Sequence, residues 1–221
     1  MDKQIDATRE KIAGLGAMLF DRFLTDSAGG NISARVGDLV CITSRFCGQK
    51  YRWHIRPEQV LVVDLDGKIL DGEGDISRES KVHLRLYKEF PMGTGVVHCH
   101  PRNVLAFCAA GKPIRPVLEA TWKFGEIKVV PYAPAHSADL ANYIVGGIRG
   151  QEARIQKQAA AVLARWHGLF VLGKDLDAAF DAAERIDNNA RIILLSRGLE
   201  SSLDLADEWT AALANEMEAK E

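Results

Sequence analysis

The chain has 221 residues, 28 basic against 30 acidic side chains, a formal net charge of −2 and 47% hydrophobic residues. That length suits one domain, 1–221, whose core needs no staple, and the even charge balance leaves no footprint for nucleic acid or an anionic membrane, so small-molecule chemistry is favoured. The N-terminus Met1-Asp2-Lys3-Gln4-Ile5-Asp6 lacks an apolar signal core and no run approaches the roughly twenty apolar residues that span a bilayer, which leads us to expect a cytoplasmic protein.

Apolar positions Ile5, Ile12, Leu15, Leu19 and Phe23 follow the spacing of an amphipathic helix over 5–23. It ends in Thr25-Asp26-Ser27-Ala28-Gly29-Gly30-Asn31, a run of turn formers that can present backbone N–H groups. Short β-rich runs at 32–36, 39–43 and 60–64 come next, with Asp66-Gly67 signalling a hairpin before Lys68-Ile69-Leu70. Ser77 is placed to cap a helix over 79–90, which puts Glu79 in its first turn.

A strand over 95–100 follows, and Pro101 suits the first position of a helix through 110. A strand near 126–131 leads to a helix capped by Ser137 with Asp139 in its first turn. Strands at 160–164 and 169–172 precede a long helix over 176–196, capped by Asp175. Clustered strands with flanking helices read as an α/β layered domain, with no repeat, linker or low-complexity tract.

The segment Val96-Val97-His98-Cys99-His100-Pro101 carries the strongest chemical signal. Side chains alternate along a strand, so His98 and His100 share a face and can share a metal, while Cys99 points the other way. His167, between the apolar runs 160–163 and 169–172, can close a three-nitrogen site with an open position for substrate. A bare His-x-His is a common pattern, and Glu79 alone reads as an ordinary helix-terminal acid; the combination points to a metal centre. His54, His83 and His136 lack that setting and read as surface or packing residues. Cys41, Cys47, Cys99 and Cys108 form no CxxC pair and read as free thiols.

With these residues in view, the chain resembles the class II aldolase and adducin-head family. Gly29-Gly30-Asn31-Ile32-Ser33 looks like the family's first phosphate loop, Ile42-Thr43-Ser44 like its second, and Ile76-Ser77-Arg78-Glu79 like the segment ending in the catalytic glutamate. His98-Cys99-His100 and His167-Gly168-Leu169 fall where the family places its metal ligands. The resemblance implies a single three-layer α/β domain with a central, mainly antiparallel sheet flanked by helices. It further implies a homotetramer with active sites shared between subunits, neighbouring residues near Trp122 or Trp209 walling the site.

The activity so implied is a metal-dependent lyase, in its simplest form a retro-aldol cleavage of a small ketose phosphate through a metal-stabilised enediolate. The ligands would be His98, His100 and His167, the ion Zn2+ or another divalent metal such as Mn2+, Co2+ or Ni2+, and the acid/base Glu79. Gly30, Asn31, Thr43, Ser44, Ser77 and Arg78 would bind the substrate's phosphate. Decarboxylation of a 3-oxo acid, epimerisation or dehydration on the same scaffold are the enzymatic alternatives, and an adducin-like binding module the non-enzymatic one. The sequence departs from the aldolase pattern where Arg45 replaces a glycine, where Arg78 replaces a serine, and where Glu119-Ala120-Thr121-Trp122 lacks the expected proton-donating tyrosine. Arg45 and Arg78 would suit a carboxylate as well as a phosphate.

Overall fold

A computed structural model describes residues 3–197. The first helix, α1 (Lys3–Asp21), buries Ile5, Ile12 and Leu19 as its spacing requires. It stops short of Phe23, which is 53% exposed with φ 60°, because the chain reverses there and the Leu24 N–H returns to the Leu19 carbonyl at 2.8 Å. Strands β1 (Asn31–Val36) and β2 (Leu39–Thr43) form a hairpin, followed by a short helix α2 (Cys47–Tyr51) and by β3 (Val60–Asp64) and β4 (Ile69–Asp71). The turn before β4 forms where expected, with Asp64 Oδ1 accepting the Asp66 and Lys68 N–H groups.

Helix α3 (Ser80–Glu89) leads to β5 (Gly95–Cys99) and α4 (Arg102–Ala110). Pro101 stands one place before α4 in extended backbone, φ −65° and ψ 136°, and has no side-chain acceptor to cap it. Asp187 supplies that cap from another helix, its Oδ1 accepting the N–H groups of Asn103 and Val104 at 3.0 and 3.1 Å. The strand expected near 126–131 shrinks to β6 (Val129–Val130), continued by an isolated bridge between Ile114 and Ile127.

The remaining elements are α5 (Ala138–Ile148), α6 (Glu152–Lys157), β7 (Ala159–Ala164), β8 (Gly168–Gly173) and α7 (Leu176–Ser196). Ser137 and Asp175 cap α5 and α7 through the N–H groups of Leu140 and Ala178. Helices α2 and α6 lacked a periodic signal, being five and six residues long.

The eight strands run in the order β4-β3-β2-β1-β5-β8-β7-β6, antiparallel throughout except β6 beside β7. Helices α1, α4 and α7 cover one face, around Val97, Cys99, Leu169 and Val171; α3 and α5 cover the other, around Val96, Ile42, Phe170 and Leu172. The result is the three-layer α/β domain with a mainly antiparallel sheet that the resemblance implied. Among the described residues no helix is long and apolar enough to cross a membrane.

Candidate active site

The site lies where the ends of β1, β5 and β8 meet the start of α3. Sheet register sets Asn31, His98 and Phe170 side by side across three strands. His98 is fully buried, its ring stacked on Phe170 at 3.9 Å between centroids. His100 follows two residues on, on the same face, and His167 enters from the turn joining β7 to β8. The potential ligand atoms of these three histidines lie within 4.8 Å of one another. Gly168 is needed beneath them, since a Cβ there would stand 2.7 Å from both the Cys99 carbonyl oxygen and His100 Cδ2.

Hydrogen bonds aim two of the rings. His98 Nδ1–H donates to the Leu169 carbonyl at 2.9 Å, and His100 Nδ1 lies 3.2 Å from Asp26 Oδ1. Each leaves Nε2 turned inward, buried and without a hydrogen bond of good geometry. Buried polar atoms without partners are rare, and three converging imidazoles, two of them held by outer-shell acceptors, form the donor set that a divalent cation takes. The residues therefore fit a metal ion. Burial, opposed by Glu79, holds the His98 imidazole down at about 4, which keeps it in the neutral form a metal requires.

Glu79 completes the cluster. It occupies the cap position of α3, φ −90° and ψ −2°, yet its side chain does not cap. Instead Oε2 stands 3.1 Å from His98 Nε2 and Oε1 3.1 Å from His167 Nε2. Burial pushes this carboxyl up, but the facing His98 and His167, where they carry a proton on Nε2, outweigh it and hold it well below the usual carboxylate range. Ser77, expected to cap α3, accepts from the Asn31 amide at 2.8 Å and from the Glu79 N–H at 3.3 Å, so it ties the glutamate segment to β1.

Beside the histidines opens a cavity of about 260 Å³. Gly30, Asn31, Ser44, Ser77 and Arg78 line it, as do Glu79, Arg45 and His136. Thr43 does not: it is buried between β1 and β2, and its hydroxyl accepts the Ile32 N–H at 3.1 Å. Thr43, assigned to the anion pocket from the sequence, thus stands at the last residue of β2, outside the lining of this cavity. The guanidinium of Arg45 packs over the Phe46 ring at 4.4 Å, and among the described residues neither Arg45 nor Arg78 has a carboxylate partner.

Residues 10–194 match the family model described as Class II Aldolase and Adducin N-terminal domain. The chain belongs to that family. An L-fuculose phosphate aldolase of Haemophilus influenzae is 32% identical over 184 residues, 81% of this chain and 80% of the relative. A 3-oxo-tetronate 4-phosphate decarboxylase of the same organism is 27% identical over 207 residues, covering 87% and 89%. A solved L-fuculose 1-phosphate aldolase shares the fold, with a TM-score of 0.80, 22% identity and 96% of each chain covered. Class II aldolases depend on a divalent metal.

Two residues near the histidines escaped the sequence reading of this aldolase-family chain. Asp26, taken as a turn former, reaches His100. His136, taken as a surface or packing residue, lines the cavity with its Nδ1 3.7 Å from Glu79 Oε1. Its only local signal was the neighbouring Ser137 cap, which ends a loop at the helix start. His54 stays outside, half-exposed beside Asp21, and His83 is buried behind Asn31. The segment 119–124 forms a 3-10 helix, and Trp209 lies outside the described residues.

Proposed function

We propose that this chain is a divalent-metal-dependent carbon–carbon lyase that cleaves a small ketose phosphate into a ketone phosphate and an aldehyde. The observation that carries the reading is Glu79, buried against His98 and His167 at 3.1 Å while a cavity lined with anion-binding groups opens beside it. His98, His100 and His167 would hold the ion, for which three imidazole nitrogens and an open fourth position suit zinc, with Co2+ or Ni2+ as alternatives and the oxygen-preferring Mn2+ less well matched. When bound, the ion polarises the ketone and hydroxyl oxygens and offsets the charge released by the broken bond.

The chain's own residues do the rest. Asn31 and Ser77, joined by their hydrogen bond, present an amide and a hydroxyl to the phosphate, with backbone N–H groups of the 29–31 turn beside them. Glu79, held ionised, moves the proton between oxygen and carbon. A binding-only module would have no use for a carboxylate buried against imidazoles. Changing Glu79 to Gln preserves the shape and is expected to leave metal content unchanged while cutting turnover by roughly a hundredfold or more. Turnover near the parental rate would end this reading.

Decarboxylation of a phosphorylated 3-oxo acid is a second reading, supported by Arg45 and Arg78 at the cavity, which give it two cations without a carboxylate partner among the described residues. Release of carbon dioxide from such acids, against aldehyde release from ketose phosphates, separates the two. We further propose a cytoplasmic homotetramer with shared sites, neighbouring subunits contributing residues near Trp122. Light scattering tests this assembly, and a fully active monomer would exclude it.

A further inference from the structure

We propose that His136 is a second catalytic residue of this site, a proton carrier that serves the substrate hydroxyl and exchanges its proton with Glu79. The assignment rests on the lyase reading above and supplies the partner for which the 119–122 segment offers no phenol.

Three observations support it. The backbone of His136 has φ 69°, the left-handed region that glycine occupies freely and other residues enter at a cost. Strain held at a cavity wall needs a reason, and here it turns an imidazole towards Glu79. Nδ1 of that imidazole is buried and makes no hydrogen bond, although the ring as a whole is 35% exposed to the cavity side and solvent. The 3.7 Å between Nδ1 and Glu79 Oε1 is a small side-chain rotation from hydrogen-bond distance, and catalytic contacts commonly tighten when substrate binds. Ser137 anchors the segment onto α5 by accepting the Leu140 N–H, so the loop is held from its C-terminal side.

The chemistry balances without another reactant. In cleavage, the imidazole takes the proton of the hydroxyl at one ring nitrogen and releases one from Nδ1 to Glu79. The carbon–carbon bond breaks, the carbinol becomes an aldehyde, and the bond's electron pair passes to the carbon next to the ketone and onto the ketone oxygen. Glu79 then returns its proton to that carbon. Both residues recover their charge, His136 neutral and Glu79 ionised, and the imidazole, now protonated at its other nitrogen, regains Nδ1–H by proton exchange with water at its exposed side before the next turnover. Burial, with Arg78, His167 and Arg45 nearby, lowers the His136 imidazole against the opposing pull of Glu79, which agrees with a neutral resting form.

Two reactions divide the roles. Exchange of the C–H protons of dihydroxyacetone phosphate with D2O, followed by proton NMR, needs Glu79 alone, whereas condensation with glycolaldehyde needs both residues. In metal-loaded His136→Gln, exchange and metal content are expected within about twofold of the parent and condensation about a hundredfold slower. His136→Gly relieves the backbone, should melt no lower than the parent, and should regain condensation when imidazole is added. Condensation at the parental rate in His136→Gln overturns the assignment. So does equal loss of exchange and condensation, which would mean that His136 only shapes the site. A parent that neither exchanges nor condenses overturns the lyase reading and this assignment with it.

Discussion

His83 Nε2 donates to Asn31 Oδ1 at 2.8 Å, from a fully buried position on α3. Asn31 spends its amide on Ser77, so its oxygen must accept, which fixes the His83 tautomer; Nδ1 then accepts from Ser33 Oγ at 2.7 Å, and Ser33 from Tyr87 at 2.7 Å. Every group in this chain has one possible direction. His83 thereby orients the amide that faces the cavity. His83→Phe should weaken binding of inorganic phosphate about tenfold, the value of one buried hydrogen bond at about 1.4 kcal/mol, while His83→Gln, which can donate and accept in the same places, should bind nearly as the parent does. Titration calorimetry checks both, and equal affinities in the Phe variant and the parent would contradict the orienting role.

The same residue makes acid stability predictable. Burial pushes the His83 imidazole down to about 3, against about 6.5 in the unfolded chain. The folded-state value is depressed, so the unfolded state binds the extra proton. The stability is fully present above 6.5 and is lost as pH falls towards 3. Each pH unit in that window costs at most about 1.4 kcal/mol from this group. Denaturant titrations should show the parent losing stability more steeply than His83→Gln between pH 6.5 and 4, with the two curves parallel above pH 7.

His98 and His100 were legible because strand alternation puts residues two apart on one face whatever surrounds them. Glu79 was legible as a position but not as a geometry: the sequence offered it as an acid in the first turn of α3, whereas the fold sets it at the cap with its carboxylate on the histidines. Ser77 looked like the cap for the same local reason, and its true partner, Asn31, lies 46 residues earlier. His136 and Asp26 were illegible because their roles depend on loop paths, and no period links them to His98. Thr43 was legible as part of a motif but not in its contact, since its hydroxyl accepts the Ile32 N–H of the neighbouring strand.

Asp26 offers a test of the metal centre independent of turnover. Its carboxyl is held below the usual range, first by the hydrogen bond to His100, and the contact steadies the ring. Outer-shell partners of this kind are worth roughly 10- to 100-fold in metal affinity. Asp26→Ala should lose affinity in that range by competition with a chromogenic chelator, and Asp26→Asn, whose oxygen still accepts, should lose less. His98→Ala should abolish tight binding. Unchanged affinity in Asp26→Ala would mean that Leu169 and packing alone orient the rings.

Arg45 and Arg78 distinguish the two proposed reactions. Both line the cavity and neither has a carboxylate partner among the described residues, so a substrate anion is the natural counter-charge. Arg78 is exposed, so solvent screens it, and its removal should cost only about three- to tenfold in binding. If the arginines serve a phosphate, Arg45→Gly and Arg78→Ser will weaken a ketose phosphate and a phosphorylated 3-oxo acid by the same factor. If one of them holds a carboxylate, the acid will lose about tenfold more than the ketose in that variant, since only the acid carries the second anion. Competition by each compound against inorganic phosphate measures the ratio directly. A ratio of one in both variants removes the structural support for decarboxylation, while a tenfold ratio places the acid's carboxylate on the arginine that was changed.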